Sequence, residues 1–399
     1  MTDNPTSPGV TAAHGFRASG VAAGLKSSGK PDLALVVNDG PLQVGAAVFT
    51  ANRVVGAPVV WSRQVVTDGV VSAVVLNSGG ANVATGPEGF LDAHATAEKV
   101  AAGLDVSAGD VLVCSTGLIG VRLASEKLVA GIEPAVNGLA DDGGPAAAEA
   151  IMTTDSVPKT AHVTVAAEDG TSWTVGGMAK GAGMLAPALA TMLSVITTDA
   201  VVDATQADAA LRAATRATFD RVDSDGCMST SDTVALLASG ASGVTPEPQA
   251  FASAVHAVCA SLARQLVADA EGASHDVAVR VTGATSEDAA VAVARAVTRS
   301  NLVKAAIFGN DPNWGRIIAQ VGTVPEEVAP FDPGSIDVSI NGVQVCRASG
   351  LGEDPAGVDL ASAREVHIEI DLHAGDASAT VWTNDLTHAY VHENSAYST

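Results

Sequence analysis

Apolar residues recur along this chain with two periods. The runs LALVV (33–37), VGAAVFT (44–50) and VVSAVVLNSGG (70–80) are rich in β-branched residues and close on Gly or Asn, which predicts strands. DVLVCSTG (110–117) reads as a short buried strand ending at Ser-Thr-Gly, SWTVGGM (172–178) is strand-like, and MLSVITTD (192–199) is a further strand. Between them, LDAHATAEKVAAGL (91–104), TQADAALRAATRAT (205–218) and the long stretch 248–272 carry apolar positions at helical spacing, the last with Gly272 as its C-cap. Residues 138–150 predict a surface loop leading into a helix. Toward the C-terminus the pattern turns to strict alternation: 335–346 forms two runs joined by Asn341-Gly342, a hairpin signal, and 365–372 and 378–385 follow. Together these predict a layered α/β sandwich of mixed sheets with helices on one or both faces.

Composition refines that picture. A length of 399 residues suggests two domains or two intertwined halves. Hydrophobic residues make up 47% but aromatics only 3%, so Ala, Val and Gly must do the packing and elements must approach closely. Lys and Arg number 21 against 44 Asp and Glu, a net charge of −23. Such a chain has no electrostatic footprint for nucleic acid or an anionic membrane, so any anionic substrate needs a local basic pocket. The few lysines become informative for that reason. No uninterrupted apolar run reaches the ~18 residues of a spanning helix, and the start MTDNPTSPGV lacks the features of a secretory signal. Four scattered cysteines, without CxxC or nearby ligand histidines, are expected to be small buried hydrophobes in a reducing cytoplasm.

Several stretches invite chemistry. GAGMLA (181–186) matches a dinucleotide fingerprint, but Pro187 would fall early in the required helix and a strand follows, so no cofactor cradle is expected. In DRVDSDGCMSTSD (220–232) a calcium loop would start on the repelling Arg221, which leaves an Asx-rich turn. Glu365, His367, Glu369 and Asp371 alternate with Val366, Ile368 and Ile370 and read as the solvated face of a strand, not as a metal site. Cys114 lies inside an apolar strand, where burial makes a thiol inert. Thr116-Gly117 places a hydroxyl and an unshielded N–H at a strand break, a suitable place for oxyanion donors. Thr191 has no evident Ser-His-Asp partners. Were the chain cut before it, its own α-amine, with a pKa near 8, would supply the base a threonine nucleophile needs.

Read with its neighbours, GGMAKGAGMLAPALATML (176–193) resembles the signature of the ornithine acetyltransferases, also called bifunctional glutamate N-acetyltransferases, of arginine biosynthesis. The likeness extends over GVTAAHGFRASGVAAGLK, VLNSGGANVATG (75–86), CSTGLIG (114–120), IMTTDSVPK (151–159), FGNDPNWGR (308–316) and the terminal DLTHAYVHENSAYST (385–399), nearly the whole chain. The resemblance implies self-cleavage between Ala190 and Thr191 by an N→O acyl shift. It implies an α chain, 1–190, and a β chain, 191–399, interleaved in a fold superficially like the N-terminal-nucleophile hydrolases and paired again into a heterotetramer. It implies ping-pong acetyl transfer from N-acetylornithine to glutamate through acetyl-Thr191, with Thr116 and the Gly117 N–H as oxyanion hole. Thr153, Lys180, Thr191, Glu271, Asn394 and Thr399 would bind substrate, with Lys180 on a carboxylate and Glu271, at the end of the long helix, on the ornithine ammonium. No cofactor is needed for this exchange, and the resemblance leaves acetyl-CoA as a second donor open. One departure is the terminal Thr399, where the family also uses serine; the hydroxyl is retained. The rival reading is a self-processed amidohydrolase or aminopeptidase that discharges its acyl group to water.

Overall fold

The computed structural model describes residues 7–166, 170–186 and 192–396. Three mixed sheets organise them. The first sheet runs β1 (Phe16–Val21), β2 (Leu33–Asn38), β4 (Ala73–Asn77), β5 (Val111–Ser115). The second runs β3 (Val44–Phe49), β9 (Thr233–Ala238), β8 (Leu193–Thr198), β7 (Ser172–Lys180), β6 (Lys159–Ala166).

Alternation along the first sheet decides its two faces. Ala34, Val36, Val74, Leu76, Leu112 and Cys114 join Met178, Val195, Ala235 and Leu237 of the second sheet in one core. The intervening Leu33, Leu35, Val75, Val111 and Val113 pack instead against α2 (Gly86–Leu104) and α3 (Ser125–Asn137). The far face of the second sheet, with Val175, Ile196, Val234 and Leu236, is covered by α5 (Ala204–Ala217) and α6 (Pro248–Ala268). The result is a four-layer helix–sheet–sheet–helix sandwich. The inner strands β2, β4, β5, β8 and β9 are buried on both faces, which is why they are largely continuous apolar runs. α1 (Ala57–Val65) packs beside β5 and α2. α5 starts at a capping box in which Asp203 and Gln206 satisfy each other's backbone N–H.

Beyond α6 the chain forms a third sheet, ordered β13 (Gly350–Leu351), β12 (Val343–Arg347), β11 (Asp337–Ile340), β14 (Glu365–Asp371), β10 (Asp276–Ala284), β15 (Ala377–Asn384). It shares a core with α7 (Glu287–Thr298), α8 (Asn301–Phe308) and α9 (Trp314–Val321). α10 (His388–Ala396) closes the described chain.

The predicted hairpin is present, with Asn341 and Gly342 at φ 47° and 85°, both left-handed as a two-residue turn demands. The acidic ladder of β14 alternates exposed and buried as expected. Four expectations need correction. α6 ends at Ala268, short of Gly272, because Asp269 turns toward Lys159 and the Gly272 backbone lies against Ala389 and Tyr390. The second half of 138–150 is α4 (Gly144–Ala150), whose Ala147, Ala148 and Ala150 lie in the core between the sheets. Cys227 is exposed while the other three cysteines are buried. Finally, although α6 is broken by His256 and Arg264, its 21 residues contain an 18-residue window of mean hydropathy 1.3, long and apolar enough to cross a membrane. Its stripe from Phe251 to Val267 is spent on the sandwich core instead.

Candidate active site

The site is assembled where β7 leaves the second sheet and β5 leaves the first. Lys180 is the last residue of β7 and pairs with Leu193 at the start of β8, so residues 181–192 form the connection between two antiparallel neighbours. Ala190, Thr191 and Thr399 lie outside the described residues.

Lys180 is 2% exposed, and its Nζ lies 3.3 Å from Thr116 Oγ1, just past the end of β5. This joins two candidate residues 64 positions apart, one from each inner sheet. Gly117 follows at φ 130°, and a Cβ there would stand 2.8 Å from the Gly80 nitrogen and 2.9 Å from its Cα. Only glycine fits so close an approach at that dihedral angle. Among the described residues the Gly117 N–H donates to none, whereas the Thr116 N–H is taken by Asn77 O at 3.0 Å. A free N–H beside a hydroxyl is what an oxyanion hole requires.

Beneath Lys180 lies a group that the sequence did not single out. Asp155, with its side chain wholly buried, accepts from Lys159 Nζ and from the Gly181 N–H, both at 2.6 Å to Oδ1, and from the Thr153 N–H at 2.9 Å to Oδ2. Lys159, 0% exposed, also pairs with Asp269 at 2.6 Å. Burial pushes the Asp155 carboxyl up, but the charges of Lys180 and Lys159, with these hydrogen bonds, outweigh it and hold the group well below the usual carboxylate range. Asp155 therefore ties the Thr153 turn, the start of the Gly-rich connection and two buried lysines together. Its signal in the sequence is the Asp-Lys pair four residues apart in TTDSVPK.

Burial pulls the Lys180 ammonium below the ordinary lysine value; Asp155, Asp232 and Glu271 pull it back up and Lys159 pushes it further down. Lys180 is thus a desolvated side chain whose Nζ lies against the Thr116 hydroxyl.

Glu271 lies in the turn after α6, three residues beyond the helix end rather than on it. Its N–H donates to Ala182 O at 3.0 Å, and its carboxylate rests on Gly183, where a Cβ would come within 2.7 Å of both oxygens. Asn394 of α10 donates to Glu271 Oε2 at 2.9 Å. The structure thus joins Thr116 to Lys180 and the Thr153 and Gly181 N–H groups to Asp155, and sets Glu271, held by Asn394, against the Ala182–Gly183 backbone. Cys114 is buried, its thiol pushed up to about 12 by desolvation, and is inert. In the 220–232 stretch, Asp225 accepts the Cys227 N–H at 3.0 Å, an Asx turn.

The ArgJ family model matches residues 17–399 of this chain. The chain belongs to the ArgJ family. Its relatives in that family include the arginine biosynthesis bifunctional protein ArgJ of Streptomyces avermitilis, 64% identical over 98% of this chain and 99% of that protein. The protein of the same name from Streptomyces coelicolor is 62% identical over the same shares. A solved structure described as ornithine acetyltransferase complexed with ornithine, from Mycobacterium tuberculosis, is 57% identical and covers 45% of this chain and 94% of that one, with a TM-score of 0.42. As an ArgJ protein the chain is an acetyltransferase enzyme of arginine biosynthesis, and its three mixed sheets are the α/β fold expected for it.

Proposed function

We propose that this ArgJ protein cleaves itself between Ala190 and Thr191 and then uses Thr191 to carry an acetyl group from N-acetylornithine to glutamate. The observation that supports it best is the meeting of Lys180 with Thr116, next to a Gly117 N–H that donates to no described residue, where Lys180 opens the connection that in sequence contains Ala190 and Thr191.

In this reading Thr191 attacks the acetyl carbonyl while its own α-amine takes the hydroxyl proton. The developing oxyanion is held by the Thr116 hydroxyl and the Gly117 N–H. Ornithine departs, glutamate enters, and its α-amine takes the acetyl group back from Thr191. Lys180 receives a substrate carboxylate with the Thr153 hydroxyl nearby, and Glu271, steadied by Asn394, receives the ornithine ammonium. Thr399 belongs to the same set by resemblance. No cofactor enters this exchange.

The fold supports the interleaving of two chains. β8 and β9, from the part after residue 191, lie between β3 and β7, from the part before it. Cutting between Ala190 and Thr191 would therefore leave the β3–β9 and β7–β8 ladders intact. The 1–190 and 191–399 chains would stay together, and a pair of such units gives a heterotetramer of a cytoplasmic enzyme.

Incubating the protein with acetyl-labelled N-acetylornithine and glutamate tests the reading. Labelled N-acetylglutamate is expected; release of free acetate alone would instead favour the hydrolase. Replacing N-acetylornithine by acetyl-CoA in the same assay decides whether a second donor is used.

A further inference from the structure

Glu271 lies in the turn 269–275, which carries the chain from α6 to β10, and the short link 385–387 between β15 and α10 grips that turn. Asp385, its side chain wholly buried, accepts the Ser274 and His275 N–H groups through Oδ1 at 2.9 and 3.0 Å. Its Oδ2 accepts from the Ser274 hydroxyl and meets His275 Nδ1 at 2.9 Å, while His275 Nε2 lies 3.0 Å from Leu360 O. Both carboxylate oxygens are thus committed to two successive residues of the turn. Thr387 Oγ1 donates to Gly272 O at 2.6 Å and accepts the Tyr390 N–H at 3.0 Å, which ties the turn to the base of α10.

Gly272 completes the joint. Its φ is 61°, and a Cβ there would stand 2.2 Å from the Tyr390 nitrogen and 2.6 Å from the Ala389 carbonyl carbon. Only glycine lets the helix backbone come so close.

α10 has little else to hold it. None of its nine described residues is buried, and a helix this short is marginal in water without tertiary packing. Near its start the Leu386 N–H donates to Lys304 O at 3.3 Å, and the His388 ring meets Phe308 edge-on with centroids 5.5 Å apart. At its other end Asn394 donates to Glu271 Oε2 at 2.9 Å and to Tyr390 O of its own helix at 3.0 Å. Asn394 stands two helical turns beyond Thr387, about 10 Å at 1.5 Å per residue. A tilt at the base therefore swings Asn394 off the carboxylate.

We propose that Asp385 is a positioning residue for the ammonium site: with Thr387 it locks the turn 269–275 to the base of α10, and so brings Asn394 to Glu271. This rests on the reading above in which Glu271 receives the ornithine ammonium. Asp385 acts on where the Glu271 oxygens stand, not on the acetyl group. Its effect therefore falls on donor binding and leaves the transfer step alone.

The test is steady-state kinetics of Asp385→Ala in the full chain, alone and combined with Asn394→Ala, varying N-acetylornithine at saturating glutamate. D385A is expected to raise KM for this donor by ~10-fold and to keep kcat within ~2-fold of wild type. On the Asn394→Ala background the same substitution is expected to add less than ~2-fold, because the contact it serves is already gone. A fall in kcat with KM unmoved would overturn the proposal, as would a rise in KM equally large with and without Asn394. Glu271→Gln with an unchanged donor KM would overturn the ammonium reading instead. Should D385A fail to fold, Thr387→Val gives the second measurement. A rise of ~3-fold in the same KM, absent on the Asn394→Ala background, is expected, and no rise would contradict the proposal.

Discussion

Two buried carboxylates flank Lys180, and their environments drive them in opposite directions. Asp155 accepts from Lys159 Nζ and from the Gly181 and Thr153 N–H groups, and is held ionised. Asp232 accepts the Met192 N–H at Oδ1 with the Ser229 hydroxyl nearby, has no partner at Oδ2 among the described residues, and is pushed toward the neutral acid by desolvation. Both are desolvated; what separates them is the number of donors and the closeness of positive charge. Asp155 is built to hold charge and fix geometry, and Asp232 to keep a proton.

The largest expected effect comes from destroying the charged side of that pair. Asp155→Ala leaves Lys159 with one carboxylate and Lys180 less compensated, so urea unfolding should show a loss of about 3–5 kcal/mol. The sign with pH follows from the depressed titration of Asp155. Its contribution is present above the unfolded carboxyl value of about 3.9 and is lost as pH falls through the lower folded value. The difference between wild type and D155A should therefore persist from neutral pH down to the ordinary carboxylate range and shrink only below it. Asp232, raised on folding, contributes with the opposite slope: its stabilisation is present at low pH and is lost as pH rises toward its folded value. A D155A protein as stable as wild type at neutral pH would break the contrast.

Thr116→Val tests the proposed oxyanion role of the hydroxyl that meets Lys180. Losing one donor is expected to cost about 2.7–4 kcal/mol in activation, read as a fall of ~100-fold or more in kcat with folding unchanged. A smaller change is expected from Gly183→Ala, whose Cβ would displace both Glu271 oxygens. KM for the ammonium-bearing donor should rise by ~10-fold with kcat little altered, measured by steady-state kinetics at saturating glutamate. Glu369→Gln, on the exposed face of β14, sets the floor. It should move stability by less than about 0.5 kcal/mol and leave activity unchanged.

Much of the fold could be read from periodicity, because the central strands β2, β4, β5, β8 and β9 are sealed on both faces and are largely apolar runs. The hairpin at Asn341-Gly342 could be read from its turn chemistry alone. α7 could not, since EDAAVAVARAVT alternates Ala and Val as a strand would, and only its packing on β10 and β15 settles it as a helix. β1 escaped notice because FRASGV mixes charge, hydroxyl and glycine, and its pairing with β2 supplies what its composition lacks. At the site, Thr116-Gly117 carried a local signal in the strand break. Lys180 and Glu271 took their roles from resemblance alone, because a lone charge in sequence does not disclose its burial. Asp155 and Asp232 were missed for the same reason: each sits in a polar stretch that reads as an exposed turn, and its burial arises only when the two sheets close.

The most direct test of the central claim is the intact mass of the purified protein under denaturing conditions, with N-terminal sequencing of each chain. The account predicts two chains, 1–190 and 191–399, the second beginning Thr-Met-Leu-Ser-Val. A single uncut chain of 39.6 kDa that nonetheless transfers acetyl groups at full rate would contradict it.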